Sequence, residues 1–174
     1  MYQDFAILPS ATVLQNAAFG IRAPGVSKRK RKKTSLHYIK EVGLLGFEDK
    51  YPHQLSGGMR QRTGLARALT VNSEILLMDE PFSAVDEQMR RKLQEDLLKL
   101  LKIENKTVIF VTHSIEEAVY LADQVVILSG RPGSISEIVY PEINRLGEID
   151  LIRRQPRYIE LVDEIWSSLK SYVE

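Results

Sequence analysis

Cysteine is absent from the 174 residues, so no disulfide framework, thiolate metal site or thiol nucleophile is possible. That fits a reducing compartment. Long apolar runs are missing too: the longest, residues 75–78, 109–111 and 125–128, fall far short of the ~20 residues of a spanning helix. The start, Met1-Tyr2-Gln3-Asp4-Phe5, lacks the basic and then apolar regions of a signal peptide. Excess charge of one sign is also lacking: 24 Lys+Arg against 23 Asp+Glu leave a net charge of +1, which excludes nucleic-acid binding driven by global charge. No internal repeat is visible. What is present is ordinary for a globular chain, with 44% hydrophobic and 27% charged residues. The length predicts one domain, or one with a small appendage.

Three short apolar runs, residues 75–78, 107–111 and 125–128, read as strands, and their unbroken hydrophobicity predicts parallel strands covered on both faces. Between the first two, Met89, Leu93, Leu97, Leu100 and Leu101 recur at helical spacing; between the second and third, Ile115, Ala118, Val119 and Ala122 do the same. Strand and helix alternate as in βαβ units, which predicts a parallel sheet. Ser129-Gly130-Arg131-Pro132-Gly133 then signals a turn, residues 135–140 a returning strand, and so a hairpin. Tyr158, Leu161, Val162, Ile165, Trp166 and Leu169 mark an amphipathic helix in the tail. Upstream, residues 10–70 read as helices with loops. The expected fold class is α/β, with a helical subdomain joined to a parallel-sheet core and a C-terminal hairpin plus amphipathic helix.

Three local patterns carry chemistry. The first strand runs into Asp79-Glu80-Pro81, two adjacent carboxylates at the carboxyl end of a strand, where ligand sites of open α/β sheets lie. Such a pair suits metal holding and water activation, and equally the capping of a following helix. Leu55-Ser56-Gly57-Gly58-Met59-Arg60-Gln61-Arg62 precedes a helical stretch, 63–71. Its glycines let backbone amides approach an anion and Ser56 adds a hydroxyl, although a plain Gly-Gly turn has the same local look. Thr112-His113-Ser114 follows the second strand and puts an imidazole at its carboxyl edge, to orient a water or merely to lie exposed.

In combination these segments resemble the ATP-binding cassette (ABC) ATPases. The run 55–62 resembles the signature motif, Leu77-Met78-Asp79-Glu80-Pro81 the Walker B strand with its catalytic glutamate, Ser83-Ala84-Val85-Asp86 the D-loop, Val111-Thr112-His113 the switch histidine, and Gln3 the Q-loop glutamine. Pro9-Ser10-Ala11-Thr12-Val13-Leu14-Gln15-Asn16, Tyr51-Pro52-His53-Gln54-Leu55 and Glu116-Glu117-Ala118-Val119-Tyr120-Leu121-Ala122-Asp123 look like importer cassettes for nitrate, sulfonate and taurine.

The resemblance implies an ATPase subunit driving solute uptake with ATP and Mg²⁺. It implies Glu80 as general base, His113 on the γ-phosphate, Asp79 and Gln3 at Mg²⁺, Ser56, Gly57 and Gly58 on a partner's ATP, and Asp86 bridging two sites. It implies as partners a second ABC ATPase subunit and transmembrane permease subunits, not nucleic acid, and a peripheral place on the cytoplasmic face of the cell membrane. Residues 1–70 would hold the Q-loop and signature subdomain, 71–140 the α/β core and 141–174 the tail helix. The phosphate loop G-x-x-x-x-G-K-[ST] is the departure: no Gly-Lys dipeptide occurs among the 174 residues. The expectation is a partial, N-terminally truncated cassette, without binding of ATP in cis and with apolar faces left uncovered. The alternative is a non-catalytic interaction module, or one completing a partner's site in trans. Finally, the basic run 28–33 reads as a solvated, mobile loop or helix edge near lipid headgroups, rather than a nucleic-acid patch.

Overall fold

The computed structural model describes residues 7–21, 26–83, 85–104, 106–130 and 133–170. It divides between Val111 and Thr112 into two compact units.

The first unit opens with helices α1 (Val13–Phe19), α2 (Lys28–Glu41) and α3 (Gly57–Thr70), the last preceded by a 3-10 turn at Pro52–Gln54. Each start carries its own cap. The Thr12 hydroxyl accepts from the Gln15 amide while the Gln15 side chain accepts from the Thr12 amide, a reciprocal box. Ser27 accepts from Lys30 N–H and Ser56 from Met59 N–H. The three helices pack on one another around Val13, Ala17, Ile39, Ala66 and Leu69, all at most 1% exposed. Thr70 Oγ1 donates to the Ala17 carbonyl at 2.6 Å and stitches α3 to α1.

Of the two readings of the basic run, loop or helix edge, the helix is the one that forms, as the first turns of α2. Its repulsion is outweighed because Ser27 caps the first turn and Tyr38, Ile39 and Val42, further along, are buried.

Strand β1 (Ile75–Asp79), helix α4 (Glu87–Glu104) and strand β2 (Thr107–Val111) form one βαβ unit, with parallel register from Ile75 opposite Thr107 to Asp79 opposite Val111. Leu93, Leu97 and Leu100 on α4 and Leu76 and Met78 on β1 are buried, as the periodicity predicts. The expectation of strands covered on both faces is corrected here. Ile75, Leu77, Ile109 and Val111 are 53%, 59%, 53% and 55% exposed, so within this unit one sheet face packs on helices and the other is open. Arg62 pairs with Asp96 at 2.6 Å, and Tyr38 Oη donates to Glu104 at 3.0 Å, which fastens α3 and α2 to α4.

The second unit holds α5 (Ile115–Leu121), β3 (Val125–Ser129), β4 (Ser134–Val139), α6 (Ile149–Ile152) and α7 (Pro156–Lys170). Among the described residues β3 pairs antiparallel with β4 alone, so the parallel arrangement predicted for the third strand is not what forms. A hairpin partner a few residues away costs little closure entropy, and Gly130, at φ +56°, supplies the left-handed turn residue. Helix α7 buries Tyr158, Leu161 and Ile165 of the stripe read from the tail, whereas Trp166 of that stripe is 53% exposed. Tyr158 Oη donates to the Glu116 carbonyl at 3.0 Å and Arg153 pairs with Glu116 at 3.1 Å, which docks the tail on α5.

Candidate functional site

Asp79 ends β1 with its side chain exposed, and Glu80 turns the chain away with φ +42°. A left-handed conformation is costly for a residue with a Cβ, and a residue before proline favours extended backbone. The surroundings hold it. Glu80 N–H donates to the Val111 carbonyl at 2.8 Å, and the Glu80 carbonyl accepts from Ser83 N–H at 3.3 Å and Ser83 Oγ at 3.0 Å. The next carbonyls are clamped from two helices. Gln61 of α3 donates through Nε2 to Pro81, while Arg90 of α4 donates to Phe82 at 3.4 Å and Val85 at 3.2 Å. Phe82 is buried and lies 5.8 Å, ring to ring, from Phe110 of β2. Strain this heavily supported is a mark of functional turns.

Ser56 sits outside the first turn of α3, where the amides of Gly57 and Gly58 have no carbonyl four residues back to receive them. The two glycines differ. Gly58 is buried, and a Cβ there would stand 2.9 Å from Met89 Sδ and 3.0 Å from Met89 Cγ. A side chain at 58 would therefore have to displace Met89 of α4, a constraint that the motif alone does not disclose. Asp86 lies at the start of the same helix, exposed, with Oδ1 accepting from Met89 N–H at 2.9 Å. Met89 thus brings the Ser56-Gly57-Gly58 turn and the Asp86 cap into one neighbourhood, and Gln61 ties the same α3 to the Glu80 turn.

His113 opens the second unit and is exposed. Its flanks are fixed. Thr112 Oγ1 donates to Glu117 Oε2 at 2.7 Å and accepts from Ser114 N–H at 3.0 Å, while Ser114 Oγ accepts from Glu117 N–H at 3.3 Å. Glu117 is only 6% exposed. The spacing Ser114-x-x-Glu117 announces the Ser114 cap, but the box is not closed: the Glu117 carboxylate and the Ser114 amide both go to Thr112 Oγ1 instead. Gln61 and Arg90, 20 and 8 residues from the carbonyls they hold, have no such local signal. Gln3 lies outside the described residues.

Chemically, the Asp79 carboxylate offers the hard oxygen donor that Mg²⁺ prefers, exposed at a strand end. Among the described residues no three His, Cys, Asp or Glu side chains cluster as an all-protein metal cage. The free amides at the start of α3, with the Ser56 hydroxyl, match a phosphate. No described helix is long and apolar enough to cross a membrane.

Comparisons with known proteins agree on one family. Residues 1–83 match the family described as ABC transporter. The chain is 47% identical over 174 residues to an uncharacterized ABC transporter ATP-binding protein of Methanocaldococcus jannaschii, covering 98% of this chain and 65% of that protein. It is 41% identical over 175 residues to the taurine import ATP-binding protein TauB of Rhizobium johnstonii, covering 98% of this chain and 67% of that protein. The curated relatives are thus longer, with about two thirds of their length represented here. A solved dimeric structure of a post-hydrolysis state of the ATP-binding cassette MJ0796, bound to ADP and Pi, superposes with a TM-score of 0.65 at 33% identity over 80% of this chain and 60% of that one.

Proposed function

This chain belongs to the ABC transporter ATP-binding family, and from that premise we propose that it is the signature and Walker B portion of an ATP-hydrolysing importer subunit. The strongest support is the strained Glu80 turn, tied by Gln61 to the helix that begins Ser56-Gly57-Gly58. In this reading a water attacks the γ-phosphorus of ATP. Glu80 accepts the water's proton as the bond to the β-phosphate oxygen breaks, releasing ADP and phosphate. His113 contacts the γ-phosphate. Asp79, with Gln3, holds Mg²⁺, which when bound neutralises charge on the phosphate oxygens. Ser56, Gly57 and Gly58 face the phosphate of ATP held by a second cassette, and Asp86 links the two sites.

No Gly-Lys dipeptide occurs among these 174 residues, so the loop cradling the nucleotide's own phosphates comes from other residues. The partners are a second cassette and membrane permease subunits, which place the chain at the cytoplasmic face. The solute belongs to the nitrate, sulfonate and taurine class. Residues 1–70 act as the helical signature portion, 71–140 as the core and 141–174 as the tail. A second reading, a non-catalytic module docking on a partner cassette, draws on that same missing dipeptide. Glu80→Gln in the assembled transporter separates the two. Hydrolysis should be lost while ATP-driven association of the cassettes persists; turnover unaffected by the substitution refutes the catalytic role.

A further inference from the structure

Residues 28–33 put six consecutive cations into the first turns of α2. Lys28, Arg29, Lys30, Lys32 and Lys33 are exposed, and none has an ion-pair partner among the described residues. Arg31 alone is half-buried, its guanidinium donating to the Val26 carbonyl at 3.4 Å. This charge works against the helix that carries it. Lys28 and Lys32, and Arg29 and Lys33, repel at one-turn spacing. The first turn has no acidic residue, so its cations also meet the positive end of the helix dipole unrelieved. An external array of anions would remove both penalties.

Two polyanionic surfaces present such arrays, and the surrounding residues distinguish them. Between 26 and 36 there is no aromatic side chain on which a base could stack and no Asn or Gln to read a base edge. The chain as a whole is +1 rather than strongly basic. A bilayer needs neither feature, only a dense cluster of lysine and arginine on a helix face. No described helix is long and apolar enough to cross a membrane.

We propose that Lys28, Arg29, Lys30, Lys32 and Lys33 form a docking surface for the anionic phospholipid headgroups of a bilayer. The proposal rests on the reading that the chain works beside a membrane permease, but its test does not depend on ATP turnover. The purified full chain is sedimented with vesicles of phosphatidylcholine alone, and with vesicles containing about 30% phosphatidylglycerol. The anionic vesicles should bind at least ~10-fold more tightly, with binding falling steeply between about 50 and 300 mM salt. Joint substitution by Lys28→Gln, Arg29→Gln, Lys30→Gln, Lys32→Gln and Lys33→Gln should remove that preference, whereas Lys28→Arg, Lys30→Arg, Lys32→Arg and Lys33→Arg together should keep it. Circular dichroism checks that the glutamine variant retains its helices; if it does not, the lipid and salt series on the unsubstituted chain decides.

Equal binding to neutral vesicles would assign adhesion to the exposed apolar face of β1 and β2 and overturn the proposal. An unaffected glutamine variant, or tighter binding to a DNA duplex than to anionic vesicles at equal phosphate, would also overturn it. Loss of lipid binding leaves the ATPase reading standing, and loss of turnover in the assembled complex leaves the lipid surface standing.

Discussion

The left-handed Glu80 provides a sign test that separates backbone strain from side-chain contacts. Replacing Glu80 by Ala and by Gly deletes the same carboxylate and stem, so the two variants differ only in the Cβ. In ordinary helix or strand interiors Gly is less stable than Ala by roughly 0.5–1 kcal/mol, because the unfolded glycine has more freedom to lose. At φ +42° the Cβ itself is penalised, by about 1–2 kcal/mol. The balance reverses, and Glu80→Gly should exceed Glu80→Ala in stability by about 1 kcal/mol. With a urea slope of ~1–3 kcal/mol/M the unfolding midpoints should differ by roughly 0.3–1 M. Far-ultraviolet circular dichroism is the right probe, because the single Trp166 lies in the second unit and Glu80 in the first. Lys99, exposed in the middle of α4, is the control, and there Ala should be the more stable by about 1 kcal/mol. Alanine equal to or better than glycine at position 80 would refute the strained turn.

Burial, reinforced by the hydrogen bond to Glu104, pushes the Tyr38 phenol up to about 12, and burial does the same to Tyr158. Both phenols are protonated below pH ~10 whether the chain is folded or not, so their contribution is fully present there. It declines as pH rises from 10 towards 12, because the unfolded chain releases its protons first; urea midpoints should fall across that window, and less steeply in Tyr38→Phe. Ile39→Ala should cost ~2–5 kcal/mol by urea unfolding, whereas Ile159→Ala, at a position 51% exposed, should stay within about 0.5 kcal/mol. Thr112→Val leaves the buried Glu117 without its 2.7 Å donor and should cost ~1–3 kcal/mol, with the His113 ring resonances shifting as their support loosens.

Much of this was legible because it is local. The leucines of α4, the buried positions of α7 at helical spacing and the β3–β4 hairpin each declare themselves within a few residues. The cluster of motifs likewise pointed to the family that the comparisons then showed. What escaped depends on distant parts of the chain. The crowding at Gly58 comes from Met89, on another helix. The clamp on the Glu80 turn comes from Gln61 and Arg90, whose partners no periodicity indicates. The open face of β1 and β2 was not legible in the apolar runs themselves, which look the same whether one or both faces are covered; only the resemblance to a partial cassette led to an expectation of uncovered apolar faces. Between the loop and the helix edge offered for the basic run, burial of Tyr38, Ile39 and Val42 decides for the helix, overriding repulsion further up the same element.

In the proposed function the Ser56-Gly57-Gly58 turn meets a phosphate held by a second subunit. The direct measurement is ATP turnover when this chain is mixed with a cassette that keeps its phosphate loop but carries a disabled signature. Gly57→Asp is the decisive variant, because an acid in the first turn of α3 favours the helix while repelling an approaching phosphate. The unsubstituted chain should restore turnover, and Gly57→Asp should lower it by about 10²-fold or more. Equal turnover with both chains would contradict a phosphate at this turn.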